Sequence, residues 1–196
     1  MAKLLFLQNL EYEFLGPMYI SSMVKKRHDC SLAVGSSAGD FEAAIKSFRP
    51  DVIAFSIMTG SHRWALETAR ALKTRHNVLT VFGGAHPTFF PEFINEEGVD
   101  VICRGEGEDA VLELLDALDS GGDIRFIENL HVKHKDGISR NPVRTLRSEL
   151  DGYPFPDRDL YSALGPASDR TVRNIVTSRG CVFHCSFCFE DSMREL

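Results

Sequence analysis

The sequence predicts an α/β fold, in which a doubly wound domain with a five-stranded parallel sheet precedes a small β-hairpin and the start of another domain. Short apolar runs alternate with amphipathic stretches from Lys3 to Leu118, as expected when each strand is followed by a crossover helix. Most apolar runs are hydrophobic on successive residues, which is typical of strands covered on both faces. The alternation stops at Ser120-Gly121-Gly122.

The first domain is predicted to contain five strands and five helices. The predicted strands are Lys3–Gln8, Ser31–Val34, Val52–Ser56, Leu79–Phe82 and Val101–Arg104. The predicted helices are Met18–Arg27, Asp40–Phe48, His62–Arg75, Phe90–Glu97 and Glu108–Leu118. Ligands of open parallel sheets bind beyond the carboxyl ends of the strands, so the residues that directly follow each strand are the candidates for a binding site.

The rest of the chain predicts a hairpin, a linker and one further strand. Leu130–His134 and Ile138–Arg140 flank a tight turn at Asp136-Gly137. Leu150–Pro156 is rich in proline and is predicted to be a linker, whereas Thr171–Thr177 predicts a new strand. We therefore divide the chain into residues 1–125, 126–169 and 170–196, and we expect the last part to be the truncated start of a further domain.

Composition excludes several classes of protein. Of 196 residues, 43% are hydrophobic and 26% are charged, the balance of an ordinary soluble protein. The net charge of -6 argues against nucleic acid as a partner, because phosphate binding needs clustered Lys and Arg. No apolar run approaches the roughly 20 residues that span a bilayer, and no cleavage site follows the short run Leu4–Leu7. We expect a cytoplasmic protein.

Three of the five cysteines, Cys181, Cys185 and Cys188, lie close together after the last predicted strand. Thiolates bind both iron–sulfur clusters and zinc, but a structural zinc site would need a fourth ligand, and none is evident nearby apart from His184 between two of the cysteines. Three ligands on a [4Fe–4S] cluster leave one iron open for a chelating molecule. The spacing favours a cluster, with zinc as the competing interpretation.

The segment Thr-Ser-Arg-Gly-Cys-Val-Phe-His-Cys-Ser-Phe-Cys, residues 177–188, resembles the cluster loop of the radical S-adenosylmethionine (SAM) superfamily. The resemblance implies that the three cysteines hold a [4Fe–4S] cluster and that SAM chelates the fourth iron. It also implies that Phe187 is the aromatic residue that this superfamily often carries beside the last cysteine, and that a TIM-type barrel begins here.

Three upstream segments each follow a predicted strand. They are Ser56-Ile57-Met58-Thr59, Phe82-Gly83-Gly84-Ala85-His86-Pro87-Thr88 and Arg104-Gly105-Glu106-Gly107-Glu108. Paired glycines at a strand end permit close approach of a flat ligand, although Gly83-Gly84 alone favours an ordinary tight turn. Glu106 is open to two interpretations, as an acceptor for a ligand amide or as a helix cap.

Together these segments resemble the Rossmann-like cobalamin-binding domain that precedes the barrel in B12-dependent radical SAM enzymes. The resemblance implies that cobalamin binds at the strand ends. The implied contact residues are Gly16, Ser56, Met58, Thr59, Gly83, Gly84, His86, Arg104, Gly105 and Glu106. His86 is also explained as a surface histidine, and His62, His76, His131 and His134 lack ligand spacing and are expected to be solvated.

One departure from the cobalamin-binding pattern concerns the axial ligand. Domains that supply a histidine to cobalt carry Asp-x-His-x-x-Gly, whereas residues 11–16 of this chain are Glu-Tyr-Glu-Phe-Leu-Gly, with Glu13 in the histidine position. A carboxylate is a poor replacement for imidazole on cobalt. We therefore expect cobalamin to bind without a protein histidine below the metal.

The resemblance implies an enzyme in full length and an inactive chain on its own. The expected reaction is oxidative cyclisation, as in anaerobic magnesium-protoporphyrin monomethyl ester cyclases, or methylation of an unactivated carbon. The expected substrate is a small molecule such as a porphyrin or another lipophilic ring system, with a flavodoxin or ferredoxin as electron donor. No catalytic residue can be assigned. Two alternatives are an enzyme whose first domain has lost cobalamin and binds substrate or protein, and a plain binding module.

Overall fold

The computed structural model describes residues 1–165 and 173–193. Its strands are β1 Lys3–Gln8, β2 Asp29–Val34, β3 Val52–Ser56, β4 Leu79–Gly83, β5 Val101–Cys103, β6 Leu130–His134 and β7 Gly137–Arg140. Its α-helices are α1 Leu15–Val24, α2 Glu42–Phe48, α3 His62–Lys73, α4 Ala85–Phe89, α5 Glu108–Ser120 and α6 Glu190–Met193.

All seven strands form one sheet in the order β2-β1-β3-β4-β5-β6-β7. The first five strands are parallel, with Phe6 of β1 beside Leu32 of β2 and Ala54 of β3. The predicted α/β class and parallel sheet are therefore confirmed. The hairpin β6–β7 is antiparallel and continues the same sheet from β5, whereas the sequence placed it after the sheet.

Each face of the sheet carries its own apolar core. Leu4 and Phe6 belong to a cluster that includes Met18 of α1, whereas their neighbour Leu5 belongs to a cluster with Ile45 of α2 and Leu72 of α3. Successive residues of β1 thus alternate between two cores, because side chains of a strand point alternately to opposite faces. This explains the continuous apolar runs in the sequence.

Two helices that contain or adjoin a proline differ from prediction. α1 begins at Leu15, before the predicted Met18, and accommodates Pro17 in its first turn, where a missing N–H costs no hydrogen bond. The predicted helix Phe90–Glu97 is wrong. α4 ends at Phe89, and a 3₁₀ turn then covers Pro91–Asn95, because a residue before proline is disfavoured in helical geometry.

The linker returns to the sheet domain. A 3₁₀ helix at Arg158–Leu164 places Leu160 and Tyr161 inside the core cluster of β1 and α1. The Tyr161 hydroxyl donates a hydrogen bond to Gln8 Oε1 at 2.9 Å and accepts one from the Phe14 amide at 3.1 Å. This segment therefore covers the end of the first strand.

The strand predicted at Thr171–Thr177 is absent from its described part. Residues 173–177 form no strand, and the first two residues of the prediction lie outside the described ranges. An extended segment becomes a strand only where a neighbour pairs with its backbone groups, and no strand of the described sheet extends to it. Among the described residues, no helix is both long and apolar enough to cross a membrane.

Candidate functional site

The turns after β3 and β4 meet at the carboxyl edge of the sheet and are joined through their backbones. The Ile57 amide donates to Gly83 O at 2.8 Å, and the His86 amide donates to Ile57 O at 3.2 Å. Gly84 has φ +92°, and a Cβ there would lie 2.6 Å from Ile57 O. Gly84 is therefore required by the packing of two turns. At Gly83, a Cβ would lie 3.9 Å from Cys103, an ordinary van der Waals contact, so packing alone does not require glycine there.

His86 lies inside this pair of turns and is 8% exposed, so its interpretation as a surface histidine is wrong. Its ring stacks on His62 with centroids 4.2 Å apart, and its Nδ1 lies 3.2 Å from the Thr59 hydroxyl. Burial, followed by the neighbouring His62, lowers the pKa of His86, and Glu92 opposes that shift. The edge thus presents a neutral imidazole near pH 7.

Thr88 connects the turn after β4 to the turn after β5. Its buried hydroxyl donates to Gly84 O at 2.8 Å and accepts from the Gly105 amide at 3.0 Å. Arg104 Nε also donates to Thr88 O, at 3.2 Å. The predicted contact residues of these two turns are therefore held in one hydrogen-bonded unit.

Asn129, which the sequence reasoning missed, supports the turn after β5. Its side-chain amide donates to Glu106 O at 2.6 Å, and its carbonyl oxygen Oδ1 accepts from the Arg144 amide at 2.6 Å. Its backbone oxygen accepts from the Arg104 amide at 2.9 Å. Asn129 has φ +71°, a conformation that asparagine tolerates better than most residues. An asparagine directly before a predicted strand was therefore the sequence feature that could have indicated this turn.

The ends of β1 and β3 form the open part of the edge. Ser56 is exposed, Met58 is 60% exposed, and Leu10 and Tyr12 after β1 are also exposed. A Cβ on Gly16 would lie 4.0 Å from Ser56 Oγ. Near the ends of β1 and β3, a glycine and a serine therefore face each other, and neither is bulky. Exposed apolar side chains beside glycines and hydroxyls fit a large ligand with a flat apolar face, which a corrin ring provides.

Glu13, in the position where the cobalamin domains that this sequence resembles can carry a histidine, is buried and paired with arginines. Arg158 Nη1 lies 3.4 Å from Glu13 Oε2, and Arg173 Nη1 lies 3.2 Å from Oε1. Arg158 also donates to Asn174 O at 2.8 Å. Because two cations engage its oxygens, Glu13 joins the segment after the linker to the end of β1.

Arg179 makes the corresponding connection at β5. Its guanidinium lies 2.8 Å from Glu106 Oε1 and 2.6 Å from Glu108 Oε1. It also lies over the rings of Tyr19 and Tyr153, 5.1 and 4.7 Å from their centroids. Burial opposes the charge, but both carboxylates outweigh it and raise the pKa of Arg179. Glu106 therefore has a partner that neither sequence interpretation included.

The three cysteines follow Arg179 on a partly exposed segment. The Cys188 amide donates to Cys185 O at 3.0 Å, and Phe189 packs against Phe89 of α4 with centroids 5.5 Å apart. Phe187 is 90% exposed. The described residues contain no group of three or more His, Cys, Asp or Glu side chains arranged to hold one metal ion. The donor set of three thiols suits a cubane, which spreads its ligands over three irons, and the cluster remains a prediction.

Comparison with known proteins identifies relatives of this arrangement. The family model of the B12 binding domain matches residues 9–115. An uncharacterized methyltransferase of Pyrococcus horikoshii is 35% identical over 182 residues, covering 89% of this chain and 40% of that protein. The anaerobic magnesium-protoporphyrin IX monomethyl ester cyclase of Cereibacter sphaeroides is 31% identical over 159 residues, covering 74% of this chain and 25% of the cyclase.

A solved structure shares the fold. The cobalamin-dependent S-adenosylmethionine radical enzyme OxsB, with aqua-cobalamin and S-adenosylmethionine bound, superposes with a TM-score of 0.69 at 18% identity. The match covers 84% of this chain and 25% of OxsB. This chain therefore spans well under half the length of these relatives.

Proposed function

The chain belongs to the B12-binding domain family, and from that premise we propose that it is the cobalamin-binding part of a radical SAM enzyme. The observation that carries the proposal is the contact between the carboxyl edge of the sheet and the segment that bears the three cysteines. The turns that follow β1, β4 and β5 contact the segment that bears three cysteines, through Glu13, Phe89 and Glu106. Cofactors bound to the two modules would therefore be neighbours.

Cobalamin would lie on the open edge formed by the ends of β1, β3 and β4. Exposed Met58 and the backbone at Gly83 would face the ring, and Ser56 and Thr59 would offer hydroxyls to its amide side chains. Glu13 is engaged by arginines, which supports binding without a protein ligand below cobalt. A neutral His86 would add no positive charge to this surface.

The cysteine segment would hold the [4Fe–4S] cluster, with one iron left for SAM. When bound, the cluster and SAM would supply a carbon radical from the substrate, and cobalamin would supply a methyl group or assist an oxidation. The described residues bind and orient these groups, and Phe187 would cover the cluster from its exposed position. We propose methylation or oxidative cyclisation for the whole protein, on a lipophilic ring substrate and with a flavodoxin or ferredoxin as electron donor.

Cobalamin binding is tested by incubating the purified chain with hydroxocobalamin, desalting it and recording the visible spectrum. We expect about one equivalent of corrin to be retained. Gly83→Leu should abolish retention because it adds a bulky side chain at the end of β4, where we propose that the ring lies, whereas Gly152→Leu in the linker should not. If full-length protein retains no corrin, the first domain has lost cobalamin and serves another ligand.

The axial state is tested on the same sample after reduction to cob(II)alamin. Electron paramagnetic resonance should lack the nitrogen splitting that a protein histidine would add. Such a splitting would show that a histidine elsewhere in the protein reaches cobalt and would overturn this part of the proposal.

The reaction is tested with full-length protein, SAM carrying a labelled methyl group and magnesium-protoporphyrin monomethyl ester. Label transferred to product would indicate methylation, whereas a new ring without label would indicate cyclisation. Absence of SAM cleavage with a fully loaded cluster would contradict the radical SAM assignment.

A further inference from the structure

Arg179 lies two residues before Cys181 and is enclosed by the sheet domain. Two carboxylates of the turn after β5 contact its guanidinium, and two tyrosine rings cover it, as described above. Its side chain is 21% exposed, and that of Glu108 is 7% exposed. Such enclosure strengthens charge-assisted hydrogen bonds, because little water competes for them.

Within the described ranges, no hydrogen bond between main-chain groups joins residues 173–193 to the sheet domain. The connection depends on side chains. Asn174 donates to the Tyr12 hydroxyl at 2.8 Å near the start of the segment, and Phe189 packs on Phe89 beyond the last cysteine. Arg179 lies between these two contacts in the sequence and is the nearest of the three to the first cysteine.

We propose that Arg179 is a positioning residue that orients the cysteine loop on the turn after β5. The inference rests on the proposed function, since the loop needs an orientation only if it holds a cofactor that works beside another. Arg179 would act through Glu106 and Glu108 and would not itself touch a reacting atom. Since Glu106 is also a predicted cobalamin contact, the turn after β5 would contact both cobalamin and the cysteine loop.

The test is hydrogen exchange followed by mass spectrometry on full-length protein, with attention to the loop peptide 177–189, in which the Cys188 amide donates to Cys185 O at 3.0 Å. In Arg179→Gln we expect this amide to exchange on the order of tenfold faster than in the wild type. Arg147→Gln is the matched control, because Arg147 pairs with Asp109 at 2.7 Å and stacks on the same Tyr153 ring at 4.7 Å. That variant should leave the loop unchanged.

Two further variants separate positioning from loss of folding. Arg179→Lys should recover part of the protection. An ammonium keeps the positive charge but lacks the two separate NH₂ groups with which the guanidinium binds Glu106 and Glu108. Arg179→Gln leaves Glu108 buried without its cation, so the triple variant Glu106→Gln, Glu108→Gln and Arg179→Gln removes the stranded charges. It should fold like the wild type and keep the fast loop exchange.

Iron and acid-labile sulfide are determined on the same preparations. Equal loop exchange in Arg179→Gln and wild type, or an equal increase in Arg147→Gln, would overturn the positioning role. If the wild type takes up no cluster while Arg179→Gln still speeds exchange, the proposed cluster site fails and the contact role of Arg179 stands.

Discussion

The turns after β3 and β4 and the cysteine-bearing segment 173–193 are built by different means. Backbone hydrogen bonds join the two turns, and the backbone of Ile57 leaves no room for a side chain at Gly84. The segment, in contrast, is attached by side chains, chiefly by arginines that pair with carboxylates. The two turns are thus fixed by backbone packing, whereas the position of the cysteine loop depends mainly on charged side chains.

The largest expected difference between the two regions is in thiol reactivity. Burial raises the pKa of Cys103 to about 12, whereas Cys181, Cys185 and Cys188 are partly exposed. In iron-free protein at pH 8, these three thiols should react rapidly with a disulfide reagent, and Cys103 at least about a thousandfold more slowly. Peptide mapping of the labelled protein identifies them. Rapid labelling of Cys103 would show that the sheet opens easily and that the sheet domain protects its thiols no better than the cysteine loop does.

The next largest effect is expected at Gly84. Gly84→Ala combines a positive φ with a Cβ placed against the Ile57 backbone, so we expect a loss of about 3 kcal/mol or more in the free energy of unfolding. Urea denaturation measures it. Gly83→Ala is the control, because its Cβ meets only ordinary contacts and should cost under about 1 kcal/mol. Similar stability of the two variants would show that the turns are not held by backbone packing.

A third prediction concerns the pH dependence of stability and His131 of β6, the strand between β5 and β7. His131 is buried, contrary to its expected solvation, and burial, followed by Arg104 and Arg140, lowers its pKa to about 4. The folded state therefore disfavours the charged imidazole. Stability should be full above the ordinary pKa of about 6.5 and should fall by on the order of 2 to 3 kcal/mol as the pH drops to 4. His131→Leu should flatten denaturation midpoints between pH 6.5 and 4. An unchanged slope in that variant would assign the acid sensitivity elsewhere.

The smallest expected effect tests the ion pairs at the start of the segment. Glu13→Gln removes the partner of Arg158 and Arg173 and should cost about 1 kcal/mol, with faster tryptic cleavage at Arg173. Glu42→Gln is the matched control, because Glu42 also pairs with basic side chains, Lys46, Arg75 and His76, but only within the sheet domain. If both variants leave cleavage at Arg173 unchanged, Glu13 does not anchor the segment.

Local patterns predicted the framework of this molecule. The five parallel strands and the turns that follow them were predicted because apolar runs and paired glycines are encoded by neighbouring residues. Phe90–Glu97 failed as a helix because the apolar periodicity outweighed Pro91 in the interpretation. The hairpin was predicted, but its pairing with β5 was not, since a strand pattern does not name its partner.

The side chains that connect the two modules could not be predicted in the same way. Arg179 and Glu108 are 71 residues apart in sequence, and Arg173 and Glu13 are 160 apart. No local sequence pattern indicates that an arginine will pair with a carboxylate so many residues away. Glu13 was noticed only because a histidine was expected there, and its arginine partners became visible only in the fold.

The contact between Tyr161 and the end of β1 has a consequence for how the chain is made. Gln8 and Tyr161 are separated by 153 residues, and both are buried in the finished protein. At a synthesis rate of about 5 to 20 residues per second, the first strand would wait on the order of ten to thirty seconds for this partner. Contacts of such long sequence separation slow folding. A ribosome paused in this interval would present a half-covered sheet, the form in which a chaperone would meet the nascent protein.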